Sequence, residues 1–403
     1  MKGADMRQRL LRPLAAVAAF FACSTAYASC ADDLAAGVDL WQEPNDTIAA
    51  ILEPDCYAWQ LFVGLNWPGD PANQAADPSA VLGGEGSATW ELWRNVRTGS
   101  AGEVFNIAGS DPGPWLLAGA PLVARSSSDV DTQPIQQLAF FDGLAVPQID
   151  EVFPVGVNET RMNESTYTFV RQNGLYSLEG LQSAFDPTSG VMNFPGNAKE
   201  IKARWREITE AEKPRYHWTT ITADGAQKTY GLTALHITTK DLPNWFWATF
   251  EHIDNRESEV AGGIAGHEGW LDPSIDAYTC PTQPTGCDKS PAVVSGTKWE
   301  NYILRGTQID FTDGRGRPKV LANSIIERGF QRTSSCITCH SRAAYDSAGQ
   351  MNPIFLPTPR RTGPVGSPNP NWFFTGDVTT RMQTDFVWAF IRACSSASTD
   401  RCR

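Results

Sequence analysis

Positive charge is the scarcer sign in this chain. Its 33 Lys and Arg stand against 45 Asp and Glu, a net charge of −12. That balance argues against nucleic acid as a partner, because a phosphate backbone selects basic surfaces. Long apolar runs are also missing. Leu14 to Cys23 is a run of ten, and no later segment is apolar enough for a transmembrane helix, which needs about 20 residues. Histidine (five) and methionine (six) are rare, so few side chains are available as soft or nitrogen ligands. No internal repeat, nucleotide-binding loop, zinc-ligand pattern or hydrolase triad stands out.

The N-terminus carries an export pattern. Lys2, Arg7, Arg9 and Arg12 precede the apolar run, and Ala26-Tyr27-Ala28 is a small-residue cleavage signal. Residues 1–28 are expected to be a secretory signal peptide, which predicts a periplasmic or secreted protein that starts near Ser29. Lipidation at Cys23 or Cys30 is the alternative, and Phe20 and Tyr27 disfavour it. Without the first 28 residues the net charge is −15. Residues 296–403 hold 14 Lys and Arg against 8 Asp and Glu, so residues 29–295 carry −21. The expected organisation is an acidic mixed body over 29–295 and a basic segment over 296–403, the two attracting each other.

Nine cysteines are present, and eight remain after residue 28. Six of them, Cys30, Cys56, Cys280, Cys287, Cys394 and Cys402, have no metal-site spacing. An even number in an exported chain suggests disulfides. Proximity favours Cys280–Cys287 and Cys394–Cys402, with Cys30 and Cys56 left over.

The other two are in "SSCITCHSRAA", residues 334–344, where Cys336, Cys339 and His340 have the spacing C-x-x-C-H. This spacing sets two sulfurs beneath the vinyl groups of a porphyrin and places an imidazole at the iron. One covalently attached haem c is expected, with Cys336 and Cys339 as the thioether residues and His340 as proximal ligand. The alternative is a redox or structural C-x-x-C followed by an accidental histidine. The motif is preceded by 335 residues and followed by only 63 after His340.

Residues 55–71 and 87–96 are expected to be short helices, 100–160 mostly loops, and 165–185 a turn at Asn173-Gly174 leading into helix. Residues 197–209 fit either helix or strand. "YGLTALHITT" (230–239) and "WFWATFEHI" (245–253) predict a hairpin, and 299–311 another strand region. A helix is expected over 320–330, a Pro-rich loop over 352–370 and an amphipathic helix over 380–394. The predicted fold class is therefore α+β: a mainly β or irregular body with a small, mainly helical, cytochrome c-like segment from about residue 320. For the sixth iron position His252, on one arm of the hairpin, is the first candidate and Met382 the second. Whether His236 shares a face with His252 depends on a register that sequence does not give.

At "SSCITCHSRA", "FWATFEH" (246–252) and "WENY" (299–302) the chain resembles a group of bacterial secreted cytochrome c-like proteins with a long N-terminal region and one C-terminal haem motif. The group has no defined activity, so the resemblance implies only the haem cysteines and His340. The expected function is periplasmic electron transfer through the haem to a redox partner protein. A haem-dependent oxidoreductase with a pocket between body and haem is the alternative.

Overall fold

Alternation of apolar and polar residues dominates the centre of the chain, and it forms one antiparallel sheet. The computed structural model describes residues 30–116 apart from 38, 46, 97 and 100–102, then 156–257 apart from 224–225, 290–327, 334–351 and 366–397. Three helices come first: α1 (Cys30–Ala36), α2 (Thr47–Leu52) and α3 (Pro54–Leu65). The sheet strands are β1 (Arg94–Asn95), β2 (Gly156–Met162), β3 (Lys199–Glu207), β4 (Trp218–Ala223), β5 (Ala226–Thr239), β6 (Phe246–His252) and β7 (Tyr302–Gln308). Helices α4 (Glu164–Gln172) and α5 (Leu178–Ala184) connect β2 to β3. Helix α6 (Cys336–His340) carries the C-x-x-C-H motif.

The strand order is β7-β6-β5-β3-β2-β1, with β4 paired to β5. The hairpin expected over 230–253 is present as β5–β6, and 199–207 is a strand. Helix 55–71 is shorter than expected. It ends at Leu65, since the residue before Pro68 avoids helical geometry. Strand β7, from the basic part of the sequence, pairs with β6 from the acidic part.

Register separates two cores. Thr249 lies opposite His236, and His236 opposite Lys202. Trp247, Thr249 and Glu251 therefore share a face with His236 and Lys202, while Phe246, Ala248, Phe250 and His252 point the other way. That second face packs on α3. Phe62 stacks on Phe250 at 4.3 Å between ring centroids, and Ile201, Leu235, Ile237 and Leu304 fill the same layer. Each such side chain buried contributes about 1.5–3 kcal/mol. A disulfide between Cys30 and Cys56 ties α1 to α3. The first face carries the other core, in which Met162, Tyr167, Phe194, Trp245 and Trp247 meet Ile337, Tyr345, Met382 and Phe390.

The expected fold class needs correction. The chain is mostly antiparallel sheet, its longest described helix has 12 residues, and no helical cytochrome c-like segment forms at the C-terminal end among the described residues. The stretch 380–394 is a two-residue strand (Met382–Gln383), a turn and one 3₁₀ turn (Ala389–Arg392). Asp385 and Phe386 have φ of 49° and 71°, the left-handed region that no α-helix of L-residues continues through. Asp385 holds the turn. Its carboxylate accepts from Phe194 N–H (2.8 Å), from Lys240 Nζ (2.6 Å) and from Trp245 Nε1 (3.2 Å). Residues 321–323 have no regular structure and 324–326 form a turn, so the expected helix 320–330 is absent over its described part. The Asn323 side chain caps this turn by accepting from Ile325 and Ile326 N–H. Cys280–Cys287 and most of the Pro-rich loop lie outside the described residues. Cys394 is disulfide-bonded, and Cys402 lies outside them.

Candidate haem site

The haem motif is one short helix with its start and its docking both fixed by side chains. Ser335 caps α6 by accepting from Thr338 N–H. Gln308, the last residue of β7, reaches across to it. Its Oε1 accepts from Ile337 N–H at 3.1 Å, and its Nε2 donates to Ser335 Oγ at 2.9 Å. Trp388 Nε1 donates to Cys339 O from the other side (3.3 Å). Over one helical turn Cys336 and Cys339 fall on the same side, with His340 beside them.

Both cysteines are free thiols. Burial pushes the Cys339 thiol up to about 12 and Cys336 well above the ordinary value. As free thiols both are available for addition across a vinyl group. His340 is nearly as constrained. Its Nδ1 lies 2.8 Å from Phe386 O, and burial lowers its pKa to about 4, which keeps the ring neutral. With Nδ1–H donating to that carbonyl, Nε2 presents its lone pair. The left-handed turn at Asp385–Phe386 aims the carbonyl, so the residues that abolish the expected helix also orient the imidazole. Trp247 packs its ring at 4.6 Å from that of His340. The donor set of two thiols and one oriented neutral imidazole fits a haem c.

The sheet face next to the motif is polar. Lys202 is exposed although β3 is an interior strand. Lys202 and Glu327 both act electrostatically on Cys336 and Cys339, and Lys202 acts on His236 and His340. Glu327 is fixed by Asn323 N–H donating to Oε2 (2.7 Å), and Asn323 donates its side-chain amide to Thr249 Oγ1 (3.0 Å). Glu251, fully buried on β6, accepts from both N–H and Oγ of Ser324 and so pins the 321–327 stretch to the sheet. Burial raises Glu327 to about 7 and Glu200 to about 8.

His252, the first candidate from sequence for the sixth position, belongs to the opposite face. Its Nδ1 accepts from Asp254 N–H (3.2 Å), its Nε2 lies 3.0 Å from Arg215 O, and its ring stacks on Tyr216 at 3.6 Å. A neutral imidazole so placed has both nitrogens used, and burial lowers its pKa to about 4. Met382 lies in the core beneath the motif. Its sulfur accepts from Tyr345 Oη–H (3.1 Å) and Asp186 N–H (3.5 Å). His217 pairs with Glu91 at 2.7 Å and stacks on Trp299 in the α3-side core, and His267 lies outside the described residues. Sequence reasoning missed Lys202, Glu327, Gln308 and Phe386. It named His236 on the hairpin but ranked it below His252, because the register was open.

No protein-family model, curated protein or solved structure matches the chain. Among the described residues no helix is long and apolar enough to cross a membrane.

Proposed function

We propose that this chain is an exported, monohaem c-type protein that transfers electrons to a partner protein. One haem is attached through Cys336 and Cys339, with His340 as its proximal ligand. The observation that carries this reading is the His340 imidazole, locked by Phe386 O at 2.8 Å beside two free thiols. A bound haem supplies one-electron exchange between ferric and ferrous iron. The chain's own residues do the rest. Phe386 O sets the tautomer and direction of His340, Trp247 packs against its ring, and Gln308 and Trp388 hold the helix in register. Lys202, exposed beside the motif, would be available to an anionic group of a bound haem. Covalent attachment outside the cytoplasm agrees with the signal-peptide pattern at residues 1–28. Purified protein should retain its haem after extraction into acid–butanone and give the pyridine haemochrome spectrum of a haem with both vinyl groups consumed. Extraction of the haem into the organic phase defeats the c-type reading.

A second reading, a haem-dependent oxidoreductase acting on a small molecule, is favoured by one feature. The face beside the motif holds an exposed lysine and buried carboxyl groups, more polar chemistry than a simple carrier requires. Carbon monoxide binding to the ferrous protein separates the two, since a catalyst needs an open iron position.

A further inference from the structure

We infer that His236 supplies the sixth ligand of the haem iron, opposite His340. The inference rests on the reading that a haem is attached at Cys336 and Cys339. It begins from register: Lys202, His236 and Thr249 form a row across three neighbouring strands. Trp247, two residues along the same face from Thr249, packs against the His340 ring, so the row runs beside the motif. The charge of a protonated His340 would reach His236.

The two candidates that the sequence ranked for this position, and His217, are used elsewhere. His252 and His217 are on the α3 side of the sheet, and the Met382 sulfur accepts two hydrogen bonds. His236 differs from all three. Its side chain is 12% exposed, yet its Nε2 is buried without a hydrogen-bond partner. A buried polar atom left this way is unfavourable, and a bond to iron removes the cost. The nearest carboxylate oxygen, Glu327 Oε2, stands at 3.6 Å, and Asn323 anchors it to the same strand that carries Thr249. A carboxylate beside a ligating imidazole orients it and raises its basicity. His236 is on an interior strand bonded on both sides, so its position is rigid. Glu327 is here a positioning residue. Two imidazoles close both axial positions and favour the carrier over the oxidoreductase.

The test uses the full-length haem-loaded protein. Wild-type ferric protein should give the low-spin electron paramagnetic resonance spectrum of a bis-imidazole haem, and its ferrous form should not bind carbon monoxide. His236→Ala should keep its covalent haem, become high-spin and bind carbon monoxide, and added imidazole should restore the low-spin spectrum. His236→Met should stay six-coordinate with a reduction potential shifted upward. Glu327→Gln should stay low-spin with a changed potential. A His236→Ala spectrum identical to wild type overturns the inference and leaves the haem reading intact. So does a wild-type ferrous protein that binds carbon monoxide. If the variant fails to fold, the wild-type resonance spectrum decides alone, since a His/Met or high-spin signal overturns it. Wild-type protein without covalent haem overturns both readings.

Discussion

The two faces of one sheet treat the same residue type in opposite ways. On the α3 side, His252 is stacked, bonded at both nitrogens and sealed among Tyr216, Tyr302 and the aromatic layer around Phe62. On the motif side, His236 has a buried nitrogen with no hydrogen bond and is neighboured by an exposed lysine and a partly buried glutamate. The first face is a mainly aromatic and aliphatic core. The second has polar groups whose burial makes sense when a further group lies against them. The strand alternation of β3, β5 and β6 makes this division between the faces.

The comparison breaks most completely at the motif. Cys336→Ala with Cys339→Ala should abolish covalent haem while leaving the α3-side core folded, with haem content read by absorbance and folding by circular dichroism. The reverse damage comes from Phe62→Ala, which removes the ring stacked on Phe250. It should cost about 3–5 kcal/mol in urea unfolding, with His340 coordination unchanged in whatever fraction stays folded.

A smaller effect sharpens the electrostatic difference. Glu200, on the motif side, has its pKa raised to about 8 by burial, against an ordinary value of 4.5, and its Oε1 has no hydrogen-bond partner. Its protonated form is favoured in the folded state. The stability it permits is full below about pH 4.5 and is lost as pH rises through about 8. Glu200→Gln should therefore gain on wild type between pH 5 and 9, by up to about 5 kcal/mol at the alkaline end. A flat difference across that range contradicts this account. The smallest effect is expected from His252→Gln. Loss of two buried hydrogen bonds and a stacked ring should cost about 1–2 kcal/mol in denaturant melts and leave the visible spectrum alone.

Much of this was legible in the sequence, and the failures have physical causes. The motif needed only its spacing. The β5–β6 hairpin followed from two β-branched and aromatic runs around a five-residue Pro-containing loop. Its register did not, because a shift of one residue exchanges faces, and that shift separates His252 from His236. The 380–394 stretch reads as an amphipathic helix, since Phe386, Val387, Phe390 and Ile391 recur at helical spacing. The long-range bonds of Asp385 to Phe194, Lys240 and Trp245 override that preference, and nothing local announces them. Glu327 and Lys202 become neighbours of the motif only through the sheet, so no spacing rule finds them.

The most direct test of the central claim is the intact mass of the exported protein, followed by mapping of the peptide spanning residues 334–344. The account predicts a mass greater than the polypeptide by one haem, with the added mass on the peptide that contains Cys336, Cys339 and His340. A haem-free mass with Cys336 and Cys339 joined as a disulfide would contradict it.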